Sequence, residues 1–400
     1  MLKLNLQESK TSHPSPPDAT TFRWLPTGEE GLEAMLEAIA GATHSLQLET
    51  YIFMPDSLGM RFREALVQAR RRGVRVQVLI DAFGSLGLPA NFWHPLVQLG
   101  GEFRWFNSFR AAERYGHRNH RKLLVADSRL AIVGGFNVGE AYYGDGVTRG
   151  WRDLGLQMQG PLAAALEESF SDLFEKAAEP PPAFPHFLPT ADTAIHGGPW
   201  TLLLSEPGLG RRAFKRALLH DLSRARDVRI ICAYFVPNWR LRRALIRTAR
   251  RGGRVQLILA GRTDIEVSRL ASRSLYAKLL RAGVEICEYQ PQILHTKLLI
   301  IDHLVYAGSA NLDTRSLSLN HELMIRIDNE ETAAQARAIF EADRTRSLPI
   351  NPQTWRASRS FFTRLLEKLA YWLVARIDPH ITSLRWRARA HRALEKQRKR

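Results

Sequence analysis

The chain has 400 residues, 45% of them apolar, which is enough for two domains of ordinary size with sizeable cores. Only two cysteines occur, Cys232 and Cys287, which excludes a disulfide framework and a zinc ribbon built from cysteine. The formal net charge of +17 predicts a polyanionic partner, either nucleic acid or an anionic membrane.

The first half of the chain alternates short apolar strands with amphipathic helices. An extension at residues 1–22 lacks the apolar core of a secretory signal, so we expect a cytoplasmic setting. Residues 46–82 then indicate a strand, a helix that ends at Arg-Gly and a second strand, and residues 96–106 add a helix and a strand. Such alternation predicts an α/β sheet covered by helices.

The same order of elements returns in the second half. Residues 228–261 repeat the pattern of 46–82, and residues 279–289 repeat that of 96–106, at offsets of 179 to 183 residues. A period of this length indicates a domain duplication and not a solenoid. We therefore predict an α/β fold in which two duplicated domains pack together around a single active site. The predicted parts of the chain are an extension (1–22), a first domain (23–176), a Pro/Gly-rich linker (177–199), a second domain (200–350) and a basic amphipathic C-terminal segment (351–400).

One motif occurs once in each half. The first copy, HRKLLVADSRLAIVGGFN, contains His120, Lys122, Asp127 and Asn137. In this copy Gly135 stands where the second copy has serine, so a hydroxyl group is missing there. The second copy, HTKLLIIDHLVYAGSAN, keeps the H-x-K-x-x-x-x-D spacing and contains His295, Lys297, Asp302, Ser309 and Asn311.

The chain ends in an apolar helical pattern followed by a basic tail. Residues 361–377 place apolar side chains at helical spacing, and residues 376–400 carry nine Lys/Arg against two acidic residues. Such a helix either lies in the interface of an anionic leaflet or docks on the second domain. For the tail we expect binding to anionic lipid. No segment has the roughly 18 consecutive apolar residues that a membrane-spanning helix needs, so we expect a peripheral protein.

The repeated histidines suit the cleavage of a phosphodiester. Imidazole has an ordinary pKa of about 6.5, so one ring can attack phosphorus while the other protonates the leaving alkoxide. The attack gives a phosphohistidine intermediate, which a second displacement resolves. Each lysine follows its histidine by two residues, so both side chains lie on the same side of the strand and face the phosphate.

The remaining polar residues of the two copies suggest supporting roles. Asn137, Ser309 and Asn311 are candidates to bind the phosphate oxygens. Asp127 and Asp302 have the opposite strand parity, which favours a hydrogen-bond or ion-pair role over contact with the same phosphate. The sequence shows no compact set of metal ligands, so we expect neither a metal nor another cofactor. Two carboxylates further along each half are candidates to orient the imidazoles, namely Asp153 and Glu322.

The paired motifs resemble those of the phospholipase D superfamily, whose HKD signature joins two halves around one active site. The resemblance covers roughly residues 25–345. The stretch NLDTRSLSLNHE at 311–322 is most similar to bacterial cardiolipin synthases of the short B type. By this resemblance the first histidine is the nucleophile and the second the acid, and the family's catalytic residues correspond to His120, Lys122, Asp127, His295, Lys297 and Asp302.

The resemblance implies phosphatidyl transfer between two phosphatidylglycerol molecules, giving cardiolipin and glycerol. The expected partners are therefore phosphatidylglycerol and an anionic membrane, at the cytoplasmic face of the bacterial inner membrane. Because one chain carries both motifs, we expect a monomer to be active. Two alternatives stay open: a phospholipase D-type hydrolase, in which water attacks the intermediate, and a nucleic-acid phosphodiesterase, which the positive charge also suits. The apolar C-terminal pattern favours lipid over nucleic acid.

Overall fold

Two mixed β-sheets with helices packed against them form the protein, as a computed structural model shows. This arrangement confirms the predicted α/β class. The predicted N-terminal extension, linker and basic tail lie largely outside the described residues, and Ala194–Gly197 within the predicted linker forms a strand. The described residues are 19–107, 118–178, 194–206, 212–355 and 357–377.

The first half forms a seven-stranded sheet. Its strands are β1 (Thr21–Leu25), β2 (Ser45–Thr50), β3 (Arg75–Asp81), β4 (Glu102–Phe106), β5 (Leu123–Ala126), β6 (Leu130–Gly134) and β7 (Gly155–Gln159). Its helices are α1 (Gly28–Gly41), α2 (Ser57–Arg71), α3 (His94–Gln98) and α4 (Pro161–Ala178), with a 3-10 turn at Glu140–Tyr142. The spatial order is β1-β7-β6-β5-β2-β3-β4, in which β2, β3 and β4 run parallel.

The second half forms a nine-stranded sheet. Its strands are β8 (Ala194–Gly197), β9 (Trp200–Ser205), β10 (Asp227–Cys232), β11 (Arg254–Ala260), β12 (Glu285–Tyr289), β13 (Lys297–Ile301), β14 (Leu304–Gly308), β15 (Glu322–Asp328) and β16 (Ser347–Pro349). Its helices are α5 (Ala213–Arg224), α6 (Trp239–Arg250), α7 (Glu266–Leu280), α8 (Glu330–Thr345), α9 (Pro352–Trp355) and α10 (Phe361–Trp372), which continues into a final turn at Leu373–Ile377. The order β9-β15-β14-β13-β10-β11-β12 repeats that of the first sheet, with β8 and β16 added at the edges.

Local sequence sets the ends of the equivalent helices α2 and α6. Asp56 caps α2 by accepting a 2.9 Å hydrogen bond from a backbone N–H of the first turn, and Asn238 caps α6 in the same way at 3.1 Å. Each helix is followed by a glycine with left-handed backbone, Gly73 at φ 92° and Gly252 at φ 89°. The Arg-Gly pattern therefore ends both helices where the sequence predicts.

A central core joins the two halves. Helices α4 and α8 lie between the sheets and bury Phe170 and Phe340 in one cluster that includes residues of both halves, such as Leu156 and Ile325. Separate clusters lie on the outer faces, under α1 to α3 in the first half and under α5 to α7 in the second. The shared core fixes the two motif copies relative to each other.

Within the described ranges, none of the helices is both long and apolar enough to cross a bilayer.

Candidate active site

A cavity of about 620 Å³ opens between the two halves, next to the ends of β2 and β10. Tyrosine rings lie against both motif histidines, with centroids 5.2 Å apart for Tyr51 and His120 and 5.4 Å apart for Tyr142 and His295. The two motif asparagines also line the cavity. Histidines that the sequence repeats 175 positions apart, and asparagines repeated 174 positions apart, thus line one cavity.

Short backbone bridges hold each histidine segment against the opposite half. The His120 N–H donates to the His321 carbonyl at 3.0 Å, and the His295 N–H donates to the Arg152 carbonyl at 2.8 Å. Because both segments precede the hairpins β5–β6 and β13–β14, the duplicated topology brings the two imidazoles together. The site is therefore assembled from both halves of one chain.

Each imidazole contacts a carboxylate that comes from the other half of the chain. His120 Nδ1 lies 3.1 Å from a Glu322 carboxylate oxygen, and His295 Nδ1 lies 2.6 Å from Asp153 Oδ2. Both carboxylates are buried, with 1% and 0% of their surface exposed. A carboxylate on Nδ1 holds the proton there and leaves the other ring nitrogen, Nε2, free for chemistry.

Burial controls the charge of both imidazoles. It lowers the pKa of His120 to about 4, with the charges of Lys122 and Lys297 acting in the same direction and Glu322 opposing them. Burial also lowers the pKa of His295, and the charge of Lys297 adds to this effect. Asp153, the carboxylate that contacts His295, acts in the opposite direction. Burial therefore keeps His120 neutral at neutral pH and favours the neutral form of His295 against the effect of Asp153; a neutral imidazole nitrogen can act as a nucleophile or base.

The two motif lysines lie beside the histidines and are almost fully buried. Lys122 Nζ donates to the His120 carbonyl at 2.7 Å, and Lys297 Nζ donates to the His295 carbonyl. Burial lowers the pKa of Lys122 to about 7 and also lowers that of Lys297. Neither lysine is among the described residues that line the cavity, so both lie behind the imidazoles. The charge of Lys297 lowers the pKa of Lys122 further, and a phosphate anion bound nearby would stabilise both ammonium groups.

The three predicted phosphate-binding residues occupy different positions. Asn311 lines the cavity, and its Oδ1 has no hydrogen-bond partner in the structure. Asn137 also lines the cavity, but its side chain accepts from the Ile52 N–H at 3.1 Å and donates to the Tyr142 hydroxyl at 2.7 Å. Ser309 lies behind Glu322 and donates to its carboxylate at 2.5 Å. Ser309 thus supports the carboxylate and is not among the described residues that line the cavity, so its expected binding of phosphate stays a prediction.

The missing hydroxyl of the first copy has a steric reason. A Cβ atom at Gly135 would lie 2.2 Å from Asp153 Oδ1, closer than atoms can pack. In the second copy the longer Glu322 side chain leaves room for Ser309. In the first copy Gly135 leaves room for Asp153, and in the second copy Ser309 lies beside the longer Glu322. Both carboxylates therefore hold their imidazoles in similar ways.

The motif aspartates lie at the far ends of their strands. Asp127 follows Lys122 by five residues, about 16 Å along an extended strand. Its carboxylate accepts backbone N–H bonds from His44 at 2.7 Å and Ser45 at 2.9 Å. Burial alone would raise the pKa of Asp127, but these hydrogen bonds lower it to about 2.

Asp302 accepts equivalent bonds, from the N–H groups of Arg226 at 3.0 Å and Asp227 at 2.8 Å. Neither Asp127 nor Asp302 lines the cavity. Their hydrogen bonds fix the start of β2 and of β10, so they support the fold around the site. These hydrogen bonds are of the supporting kind that strand parity favours, and the catalytic assignment that the resemblance implies stays a prediction.

Sequence reasoning missed two arginines of the cavity, Arg118 and Arg315. Arg118 precedes His120 by two residues, and the period-two rule that was applied to the lysines would have found it. Arg315 lies within the NLDTRSLSLNHE stretch.

In the part of the chain that the structure describes, no three His, Cys, Asp or Glu side chains are grouped to hold a metal ion.

Comparisons with known proteins agree with this geometry. A family model described as "Cardiolipin synthase, PLD-like domain" matches residues 35–173 and 218–344. The chain is 35% identical to cardiolipin synthase A of Pseudomonas aeruginosa over 84% of its length and 69% of that protein. It is 30% identical to cardiolipin synthase 1 of Bacillus anthracis, over 88% of its length and 71% of that protein. A crystal structure of phosphatidylserine synthase from Haemophilus influenzae shares the fold, with a TM-score of 0.67, 13% identity and coverage of 90% of this chain and 95% of that one.

Proposed function

The chain belongs to the family of cardiolipin synthases with phospholipase D-like domains, and we propose that it transfers a phosphatidyl group between two phosphatidylglycerol molecules. The products are cardiolipin and glycerol. The observation that carries this proposal is the pair of imidazoles, one from each half, that face a single cavity, each with a buried carboxylate at Nδ1 and a buried lysine beside it. The family resemblance to the short B type stays a prediction.

In the first step, Nε2 of His120 attacks the phosphorus of a phosphatidylglycerol molecule. A P–N bond forms while the bond from phosphorus to the glycerol headgroup breaks. His295 donates its proton to the leaving alkoxide, which departs as glycerol. The bound phosphodiester anion and Asp153 both favour the protonated form of His295, which offsets the effect of burial.

In the second step, the neutral His295 accepts a proton from a glycerol hydroxyl of a second phosphatidylglycerol molecule. The resulting oxygen nucleophile attacks the phosphohistidine, the P–N bond breaks, and cardiolipin leaves with His120 restored. Lys122, Lys297 and Asn311 stabilise the negative oxygens in both transition states. Since one chain supplies all these groups, a monomer is sufficient.

Helix α10 supports access from a membrane surface. One face packs on α7 through buried Ala370, while the exposed face carries Phe361 and Phe362 at 66% and 78% exposure. The turn after α10 brings Leu373 and Val374 to the cavity itself. This dual role combines the two sequence-based alternatives, because the helix both docks on the domain and presents an apolar face. We infer peripheral attachment to the cytoplasmic face of an anionic inner membrane, with α10 in the interface.

Incubation of the purified protein with phosphatidylglycerol vesicles, without added metal, tests the proposed reaction. Mass analysis of the lipids should detect cardiolipin together with free glycerol, and a His120→Ala variant should produce neither. Phosphatidic acid in place of cardiolipin would identify a hydrolase. The absence of any lipid turnover would contradict the proposal and direct attention to nucleic-acid phosphodiesters.

A further inference from the structure

We propose that Arg118 and Arg315 form a second phosphate site, which binds the phosphate of the acceptor phosphatidylglycerol and so directs the reaction towards transfer. This inference rests on the proposed function, because it assigns a residue pair to the acceptor lipid of that reaction. The motif lysines stabilise the phosphate of the donor lipid, which reacts. The arginines bind the phosphate of the acceptor lipid, which does not react.

The two arginines come from different halves and are brought to one wall of the cavity. The His321 N–H donates to the Arg118 carbonyl at 2.8 Å, within the parallel bridge that links the first motif to the second half. Arg315 lies in the turn just before that bridge, where its carbonyl accepts from the N–H groups of Leu319 at 2.7 Å and Asn320 at 3.0 Å. The bridge that completes the histidine site therefore also places the arginines.

The spacing from the reacting centre fits the acceptor. Arg118 and His120 both line the cavity, whereas the intervening Asn119 turns away and donates to Glu49 at 2.7 Å. Two residues of extended chain span about 7 Å. The two phosphates of cardiolipin are joined through the three-carbon glycerol bridge, whose extended length is comparable. The backbone separation of Arg118 and His120 is thus of the same order as the distance between the two phosphates that the acceptor hydroxyl has to join.

The guanidinium group of Arg118 is held in place by packing. Its residue is 5% exposed, and the guanidinium carbon lies 3.7 Å from the centroid of the Phe83 ring. Burial lowers the pKa of Arg118, and the charge of Arg315 lowers it further, so the two cations are close enough to repel. A planar guanidinium is suited to bidentate binding of phosphate, and a bound anion would remove this repulsion.

The charges near Tyr51 include two arginines, whereas those near Tyr234 are carboxylates, and both tyrosines line the cavity. Tyr51, Arg118 and Arg315 all line the cavity. Burial raises the pKa of Tyr51 to about 12 and the charge of Asp81 adds to this, while the charges of Arg118 and Arg315 oppose it. Asp81 offsets one of the two positive charges, and its oxygens accept backbone N–H bonds from Phe83, Gly84 and Asn119.

The surroundings of Tyr234, which also lines the cavity, are acidic. Tyr234 donates to Asp264 at 2.6 Å, and the charges of Asp264 and Asp313 add to burial in raising the pKa of Tyr234. Carboxylates repel a second phosphate but accept hydrogen bonds from hydroxyl groups. The acceptor phosphate is therefore favoured beside the two arginines over the acidic surroundings of Tyr234.

Acceptors that lack a phosphate provide the test. The enzyme is incubated with phosphatidylglycerol vesicles and isotope-labelled glycerol, and three products are measured: cardiolipin, labelled phosphatidylglycerol from glycerol exchange, and phosphatidic acid. Replacing Arg315, which is only half-buried, by Gln should lower the cardiolipin rate about ten- to hundredfold, since one charge-assisted contact to phosphate is lost. Glycerol exchange should stay within about twofold, because water and glycerol make no use of the second site.

Several variants separate the outcomes. Arg118→Gln should behave like Arg315→Gln, Arg315→Lys should recover part of the cardiolipin rate, and Arg61→Gln on the outer helix α2 should match the wild type. Equal losses of exchange and cardiolipin, or an unchanged ratio of cardiolipin to phosphatidic acid, would overturn the second phosphate site while leaving the proposed function intact. A wild type that exchanges glycerol but makes no cardiolipin would instead overturn the proposed function.

Discussion

Replacing Glu322 by Gln removes one negative charge from the site while nearly preserving its shape. The carboxylate contacts His120 Nδ1 at 3.1 Å and accepts from Ser309 at 2.5 Å and from Asn320 at 3.3 Å. Burial alone would raise the pKa of Glu322, but His120, Lys122 and Ser309 lower it, so the group is ionised. The substitution therefore converts a charged acceptor into an amide with one donor end.

The expected loss follows from two contributions. A hydrogen bond to a charged group is worth about 1.5–3 kcal/mol. The amide donor also favours the tautomer with the proton on Nε2, the nitrogen that must attack phosphorus, which adds a loss of similar size. Together these amount to roughly 3–6 kcal/mol, or about a 10²- to 10⁴-fold decrease in kcat. Ser309→Ala removes one hydrogen bond but keeps the carboxylate, so its loss should be about tenfold.

Rapid-quench measurement of glycerol release from phosphatidylglycerol reports formation of the phosphohistidine directly. Glu322→Gln should abolish the initial burst of glycerol, while Glu331→Gln on the exposed face of α8 should leave it unchanged. Thermal unfolding of both variants checks that the fold is retained. A folded Glu322→Gln enzyme with kcat within tenfold of the wild type would refute the role assigned to this carboxylate.

Three further perturbations and the pH dependence give distinct outcomes. Asp302→Ala leaves two backbone N–H groups without their acceptor and should lower stability by about 1–3 kcal/mol, seen as a lower Tm, with near-normal kcat below that temperature; loss of activity at unchanged Tm would contradict this. Gly135→Ala should push the Asp153 carboxylate away from its imidazole and lower kcat about 100-fold, and wild-type activity would exclude the steric account. Phe362→Ser should weaken binding to anionic vesicles about ten- to hundredfold with little change in Tm, because this side chain is exposed, and unchanged vesicle binding would argue against α10 as the contact. The His120 pKa of about 4 lies below its ordinary value, so loss of neutral nucleophile should reduce kcat/KM only as the pH falls towards 4; an acid limb near pH 6.5 attributable to this residue would contradict the burial effect.

Several features followed from the sequence because they depend on neighbours along the chain. The H-x-K spacing puts His120 and Lys122 on one side of a strand, since side chains alternate with period two. Arg-Gly at the ends of α2 and α6 requires the left-handed backbone that glycine adopts without strain. The duplicated α/β fold was predicted from the repeated order of such elements and is confirmed by the matching strand orders of the two sheets.

Other features depended on contacts between distant segments, and local patterns could not specify them. Asp153 and His295 are 142 residues apart, and they meet because the sheets pack with each histidine segment against the opposite half. Ser309 follows its glycine as a phosphate-binding residue would, yet the pairing of β14 with β15 turns its hydroxyl towards Glu322. Backbone geometry thus decided which side chains share a face of a strand. The packing of the two sheets decided which of those faces meet, because that depends on the whole buried core and not on any one segment.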